Sequence, residues 1–487
     1  MGLCAIRNVS QAGDVAVILV AMRRQKIDPK HVRDFFYHHA LSVRLMTLFF
    51  DCIWWLITRG FFRVVHALIR WLGVMSSVWF SVDERQRRLH TFVVGRTGVG
   101  KSVLLHNLIR HYLAWNREPS LVLFDPHGDL ARSAARDRAF RKSDRRVYLN
   151  FNGIAGKHVH LNPFELKNCS EQNLNRAQLQ FAGAVEQIVG QKFTPVQRTL
   201  IRACLGIMLH KPNTTLVDLV RLLQDEQNVD LVRYGREYLP NEIDRQFFAT
   251  TFEKSHYRAT KQALVARLTD IVRDPFVRRF TCHPSSFNLG EVLDSGKVLM
   301  VCFDPSKQSP DTIRTIGQLL NAAILSHVLG RTPYKRQPIH LFVDECQYFV
   351  SPTIEDILGE SRKFGLYATL ATQRVERLDP DLQDAILGNV GTMWVGASRH
   401  TTADKLAKET DLKSEQIRAL PNLTFYQIAS NHPAKRQQLS FLGNRYAMSA
   451  KDWAKVTRQQ AKQYYRQPTD PKTVEPKAPE SWAPYFL

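Results

Sequence analysis

Cysteine is sparse and scattered: there are seven (Cys4, Cys52, Cys169, Cys204, Cys282, Cys302, Cys346), and no C-x-x-C pair among them. That spacing speaks against a paired-cysteine zinc site, and the odd count speaks against a disulfide framework. A reducing cytosolic face is the setting that fits. Acid is also in short supply, with 45 Asp and Glu against 67 Lys and Arg, a formal net charge of +22. The surplus points to a polyanionic partner, either nucleic acid or an anionic membrane surface. Long apolar runs are missing too. No stretch reaches the ~18–20 uncharged residues of a spanning helix. Met1–Asp28 lacks the basic start, apolar stretch and small-residue cleavage site of a secretory signal.

What the N-terminal part does contain is a broken apolar region, Leu45–Val82, interrupted by Asp51, Arg59, Arg63, His66 and Arg70. Trp54, Trp55, Trp71 and Trp79, mixed with Phe and Arg, suit a helix lying at a membrane interface. Membrane association is the reading adopted. Two short spanning helices, or a helical pair buried against the rest of the protein, are the alternatives.

Leu89–Gly95 is a short β-rich run that leads into Gly95-Arg96-Thr97-Gly98-Val99-Gly100-Lys101-Ser102 and then the helical Val103–Leu113. This is G-x-x-x-x-G-K-[ST] in its strand–loop–helix context. Gly95, Thr97, Gly98, Val99 and Gly100 would turn backbone N–H groups toward one anion, and the helix N-terminus adds partial positive charge. Lys101 would reach the β- and γ-phosphates of ATP, while the Ser102 hydroxyl would ligate Mg²⁺.

Gln337–Glu345 is an apolar strand ending in two acids. In a parallel sheet such acids fall at the carboxyl edge, where ligands gather. Asp344 is expected in the Mg²⁺ shell and Glu345 as the general base that activates water, so the pair points to hydrolysis. Gly365–Gln373 reads as another buried strand, ending in an amide suited to sense the γ-phosphate. Just before it, Arg362 is the first candidate for a cation delivered by a neighbouring subunit, with Arg399 the second.

Strand-like runs at Thr91–Val94, Leu121–Phe124, Arg146–Leu149, Val298–Phe303, Ile339–Val343, Leu366–Thr372, Thr392–Val395 and Phe425–Ala429 alternate with helical segments. The pattern predicts an α/β fold on a mostly parallel sheet. Between Asn168 and Pro284 the strand signal vanishes, and Leu174–Val189, Pro195–Leu209, Thr215–Asp225 and Thr260–Val272 show helical periodicity. Thr215 or its neighbours Asn213 and Thr214 would cap the third. The expected organisation is an N-terminal helical region (1–82), a motor domain (83–167 and 285–450), an inserted all-α domain (168–284) and a basic, then Pro-rich tail (451–487). Residues 468–487 carry no periodic apolar pattern and should be extended or disordered.

Taken in order, His90–Ser102, the strand and Asp-Pro-x-Gly-Asp turn of Leu121–Leu130, Gly296–Pro305, Leu341–Glu345, and Glu360–Gln373 with Gly391–Ala397 beyond it resemble the TraG/TraD coupling proteins of conjugative type IV secretion systems, within the HerA/FtsK group. The likeness runs over roughly Leu89–Ala429 by motif order. It implies a RecA-like motor assembled as a hexameric ring, with ATP between subunits and DNA in a basic channel. It also implies a place on the cytoplasmic face of the bacterial inner membrane, with secretion components and a relaxase-type protein as partners. Those proteins usually carry two clean spanning helices, where this chain has Arg63, His66 and Arg70. A soluble cytoplasmic HerA-like translocase, and a secretion or pilus-assembly ATPase acting on protein, are the alternative readings.

Overall fold

The computed structural model describes residues 88–115, 119–140, 143–165, 170–331, 336–349, 358–359, 361–429, 432–440 and 446–467. The membrane-associated region expected at 1–82 and the Pro-rich stretch 468–487 lie outside the described residues. Among the described residues no helix is long and apolar enough to cross a membrane.

Nine strands form one sheet: β1 (His90–Val94), β2 (Ser120–Asp125), β3 (Arg146–Asn150), β4 (Val298–Cys302), β5 (Ile339–Val343), β6 (Leu366–Thr372), β7 (Val390–Gly396), β8 (Thr424–Ala429) and β9 (Lys435–Gln438). Their order across the sheet is β3-β4-β2-β5-β6-β1-β7-β8-β9. The first seven in that order pair parallel, and β8 and β9 add an antiparallel hairpin at one edge. Strands such as Ser120–Asp125 and Val298–Cys302 are buried at every position, which follows from helices covering both faces of a parallel sheet. Eight of these strands match the sequence expectation. The ninth, Lys435-Arg436-Gln437-Gln438, has no apolar residue to signal it, and its charged, exposed side chains suit a sheet edge.

From Glu171 to Asp294 the chain is helical. The expected helices appear as Glu171–Val189, Pro195–His210, Leu216–Leu222 and Arg258–Arg273, with further helices Val229–Tyr238, Glu242–Thr250 and Pro275–Thr281 between and after them. Thr215 is the cap of Leu216–Leu222, and the Asp218 carboxylate accepts its backbone N–H at 2.8 Å. Gln197 and Thr194 form the reciprocal box that starts Pro195–His210. The helix Glu171–Val189 packs along Pro310–Leu329, the long helix that follows β4, so the insertion and the sheet share one continuous core.

The helix Ala450–Tyr464 lies against the free edge of β3. Gln460 is buried there: its Nε2 donates to the Arg146 carbonyl at 2.9 Å and its Oε1 accepts the Tyr148 N–H at 2.9 Å. The Tyr465 hydroxyl accepts from the Asn150 N–H and donates to the Tyr148 carbonyl, both at 2.7 Å. Two side chains thus do the work of a missing neighbour strand, since an unpaired buried backbone group is costly. The packing of the sheet therefore extends past residue 450. We predict that Gln460→Leu, which orphans one N–H and one carbonyl, lowers stability by about 1–3 kcal/mol. Thermal unfolding tests this, and a Tm equal to that of the parent protein would count against the edge role.

Candidate nucleotide site

β1 ends at Val94 and the chain turns into the loop Gly95–Gly100, which opens the helix Lys101–Trp115. Gly98 and Gly100 have φ of 84° and 103°, a region that side-chain-bearing residues rarely enter. At Gly100 an added Cβ would also meet Leu423 Cδ2 at 2.6 Å. Leu423, just before β8, props the loop from beneath by donating its N–H to the Val99 carbonyl at 2.8 Å. From the other side the Arg96 N–H reaches the Ala397 carbonyl at 2.8 Å, past the end of β7.

Topology brings the remaining groups to this edge. β6 lies between β5 and β1, so Gln373, directly after β6, stands between the acids after β5 and the loop after β1. Its Nε2 donates to Glu345 Oε1 at 2.6 Å and its Oε1 accepts from the Thr97 hydroxyl at 2.7 Å. Lys101 Nζ is 3.4 Å from the same Glu345 Oε1, and both side chains are buried. Glu345 Oε2 takes a second amide, Gln347 Nε2, at 2.9 Å. Glu345 itself is left-handed, with φ 46° and ψ 60°, a strained conformation for a non-glycine residue. The turn is held because Asp344 Oδ1 accepts the Glu345 N–H at 3.0 Å and the Glu345 carbonyl accepts the Tyr348 N–H at 3.0 Å.

Asp344 is buried beside two further acids. Its carboxyl is pushed up to about 7, first by burial, then by the charges of Asp125 and Glu345, against the opposing pull of Lys101. Asp125 ends β2, and burial raises its carboxyl too. Its oxygens are already engaged, accepting the N–H groups of His127 at 3.0 Å and Ala131 at 2.8 Å to cap the following turn. In that turn Gly128 has φ 79° and nests against the Phe303 carbonyl, where a Cβ would stand at 2.1 Å. At Asp344 the pull of one ammonium, Lys101, thus opposes the charges of two neighbouring acids. A Mg²⁺ held by Asp344 and the exposed Ser102 hydroxyl would offset that excess, and such an ion needs few protein ligands when phosphates supply the rest. Among the described residues no group of three or more His, Cys, Asp or Glu could hold a metal unaided.

The two candidate arginines fall on opposite edges. Arg362 is exposed in the turn Ser361–Phe364 that precedes β6, so it stands at the amino edge of the sheet, away from Lys101 of its own chain. Arg399 caps the helix His400–Lys408 beyond β7 and lies exposed on the loop's own edge. Beside the Arg362 turn sits a residue that sequence reading missed, His90. Fully buried, its Nδ1 accepts the Ala368 N–H at 3.0 Å, which leaves the proton on Nε2, 3.4 Å from Ser361 Oγ. Burial first, and Arg362 second, lower its pKa to about 4 and keep the ring neutral.

A profile of the type IV secretion-system coupling protein DNA-binding domain matches residues 75–420. The chain belongs to that family. Among solved structures, the bacterial conjugative coupling protein TrwB, as its unbound ΔN70 form, aligns with a TM-score of 0.55 at 18% identity, over 74% of this chain and 86% of that one. TrwB with a non-hydrolysable ATP analogue gives 0.55 at 18%, over 73% and 86%. TrwB with ADP and Mg²⁺ gives 0.53 at 17%, over 75% and 90%. At such identities the likeness is one of fold, and it makes this coupling protein's sheet the RecA-like P-loop architecture expected from its sequence. No curated protein matches the chain.

The buried acid gives the coupling protein a signature in the absence of nucleotide. Because the folded-state value of Asp344 lies above its ordinary 3.8, the protonated form stabilises the fold, and that stability is lost as the pH rises toward about 7. Asp344→Asn removes the dependence. Its Tm advantage over the parent should grow from pH 4 to pH 7, reach a few degrees, and then level off. An advantage equal at pH 5 and pH 8 would refute this account of Asp344.

Proposed function

We propose that the protein is an ATP-driven DNA translocase that couples DNA or nucleoprotein to a type IV secretion channel. The observation that carries the hydrolytic part is the closed set Thr97–Gln373–Glu345–Lys101, in which a carboxylate base, a strand-end amide and the phosphate-binding lysine meet at one point. In the proposed cycle Lys101 and the loop N–H groups hold the β- and γ-phosphates. Ser102 and Asp344 would hold Mg²⁺, which when bound would neutralise charge on the phosphates. Glu345 takes a proton from the attacking water, whose oxygen bonds to the γ-phosphorus as the bond to the β-bridging oxygen breaks. Gln373 reports the presence of the γ-phosphate. TrwB with ADP and Mg²⁺, and with an ATP analogue, supports ATP and Mg²⁺ as the ligands.

The position of Arg362 at the amino edge supports a ring, since that cation can only serve the site of another copy. A hexamer with ATP between subunits is the proposed form, and the +22 charge supports grip on the phosphate backbone. The broken apolar region Leu45–Val82 supports a place on the cytoplasmic face of the inner membrane, beside secretion components. A second reading, a motor for protein cargo such as a relaxase, is favoured by one feature. Leu179, Val196, Val217, Val229, Tyr238 and Ile243, the large apolar side chains that are exposed among the described residues, all lie in the helical insertion.

Steady-state ATPase with and without single- and double-stranded DNA separates these readings. DNA should stimulate turnover several-fold and lose its effect as salt rises. Lys101→Ala and Glu345→Gln should each reduce turnover at least about 100-fold. Arg362→Ala should do the same with nucleotide affinity retained, and addition of a Lys101→Ala chain, whose Arg362 is intact, should restore part of it. Turnover indifferent to DNA, with no DNA binding even at low salt, would overturn the translocase reading and leave the protein-cargo one.

A further inference from the structure

Glu345 makes three side-chain contacts, and two of them are temporary if the hydrolytic reading holds. Lys101 Nζ and Gln373 Nε2 share Oε1. Both belong to groups that the phosphates of ATP will claim, the lysine by charge and the amide by its place beside the loop. The third contact has no such competitor. Gln347 Nε2 holds Oε2 at 2.9 Å from within the same short turn, Cys346–Tyr348.

The Gln347 amide is oriented by its partners. A carboxylate only accepts, so the NH₂ must face Glu345 and the carbonyl oxygen must face a donor. That donor is the fully buried Thr372 hydroxyl at the end of β6, 3.1 Å from Gln347 Oε1; the hydroxyl accepts the Arg374 N–H at 3.3 Å and shares its one proton between Gln347 Oε1 and the Arg374 carbonyl, also at 3.1 Å. The turn is bolted down from behind. Asn321 and Gln318, on the helix Pro310–Leu329, reach the carbonyls of Phe349 and Tyr348 at 3.3 and 3.4 Å. The Phe349 ring lies over Gly317 of that helix, where an added Cβ would meet it at 2.1 Å, and it packs on Phe124 with ring centroids 5.1 Å apart.

We infer that Gln347, braced by Thr372, is a positioning residue that keeps the Glu345 carboxylate aimed once Lys101 and Gln373 have turned to the nucleotide, leaving Oε1 free to take the proton from water. This rests on the hydrolytic reading of Glu345. Unlike the lysine, a neutral amide orients the base without quenching its charge. Without it the carboxylate, on a left-handed residue beside Asp344, would be free to rotate about its own side-chain bonds after losing its other partners.

The test compares binding of ADP with binding of ADP plus Mg²⁺ and aluminium fluoride, a mimic of the transferring phosphoryl group with its attacking water, in full-length protein. Gln347→Ala should leave ADP affinity within two-fold and weaken the aluminium fluoride complex about 10–100-fold. It should lower kcat by a like factor with KM for ATP unchanged. Thr372→Val, which leaves Gln347 in place but unbraced, should give a smaller loss of the same kind, and Thr372→Ser should restore the parent behaviour. The double variant Gln347→Ala/Thr372→Val should be no worse than Gln347→Ala alone. Loss of ADP and aluminium fluoride affinity in equal measure would mean a merely structural residue and overturn the inference, as would an unchanged aluminium fluoride complex in both single variants. If Glu345→Gln abolishes tight aluminium fluoride binding and Gln347→Ala does not, only the role of Gln347 falls. If the parent protein itself shows no such complex and no turnover, the hydrolytic reading falls with it.

Discussion

The site depends on one oxygen atom, Glu345 Oε1, where the Lys101 ammonium and the Gln373 amide meet. Beside it Asp344 feels the charges of Asp125 and Glu345 on one side and of Lys101 on the other. Asp125 is engaged by backbone N–H groups and Asp344 is held in its neutral form until the pH nears 7, so Glu345 is the acid left to pair with the lysine. An ion pair this buried is held by geometry and extra hydrogen bonds rather than by raw Coulomb energy. Those extra bonds are the amides of Gln373 and Gln347. Lys101 and Gln373, which phosphates would recruit in the proposed cycle, both pair with Oε1, so phosphate binding and release of that oxygen would be one exchange of partners, with Gln347 staying on Oε2.

That edge is not isolated from the rest of the molecule. The helix Pro310–Leu329 touches both the turn that carries Glu345 and Gln347 and, along another side, the helix Glu171–Val189 of the insertion. Gly317 is the fitting: only the absence of a side chain lets the Phe349 ring approach this closely. A close-packed interior transmits strain because it has few voids to absorb it. A push on the insertion therefore meets a stiff path to the base, and a change at the base meets the same path outward.

How far the sequence alone was legible follows from where each signal resides. The loop Gly95–Ser102, the acids Asp344-Glu345 and the amide Gln373 were readable because each is fixed by residue type at a strand end, a local property. Seven parallel strands were readable as apolar runs, since burial on both faces leaves no polar alternation to hide them. Strand order was not readable. Nothing in the chain says that β6 inserts between β5 and β1, yet that insertion is what sets Gln373 between Thr97 and Glu345. Leu423, His90 and Gln347 were missed because their roles exist only in contacts made across the fold, and β9 because an exposed edge needs no apolar residue. Gln460 and Tyr465 cap β3 from more than 300 positions away, beyond the reach of any periodic pattern.

The two edges of the sheet are joined by one short strand. β1 begins at His90, whose ring is tied to Ala368 and set beside Ser361, next to Arg362, and it ends at the phosphate-binding loop. Five extended residues span about 16 Å, at roughly 3.3 Å each. The group that a subunit would offer its neighbour and the loop that binds its own nucleotide are therefore opposite ends of one buried rod. His90 stays neutral because it is buried and because Arg362 is close, so the join is made by hydrogen bonds that a charge would disturb. A head-to-tail, heterologous contact would let both ends of such a rod meet nucleotide, and repeated around a closed rotation it gives a ring. In the ring proposed above, β1 would be the shortest covalent link between the loop of one subunit and the cation offered to the next.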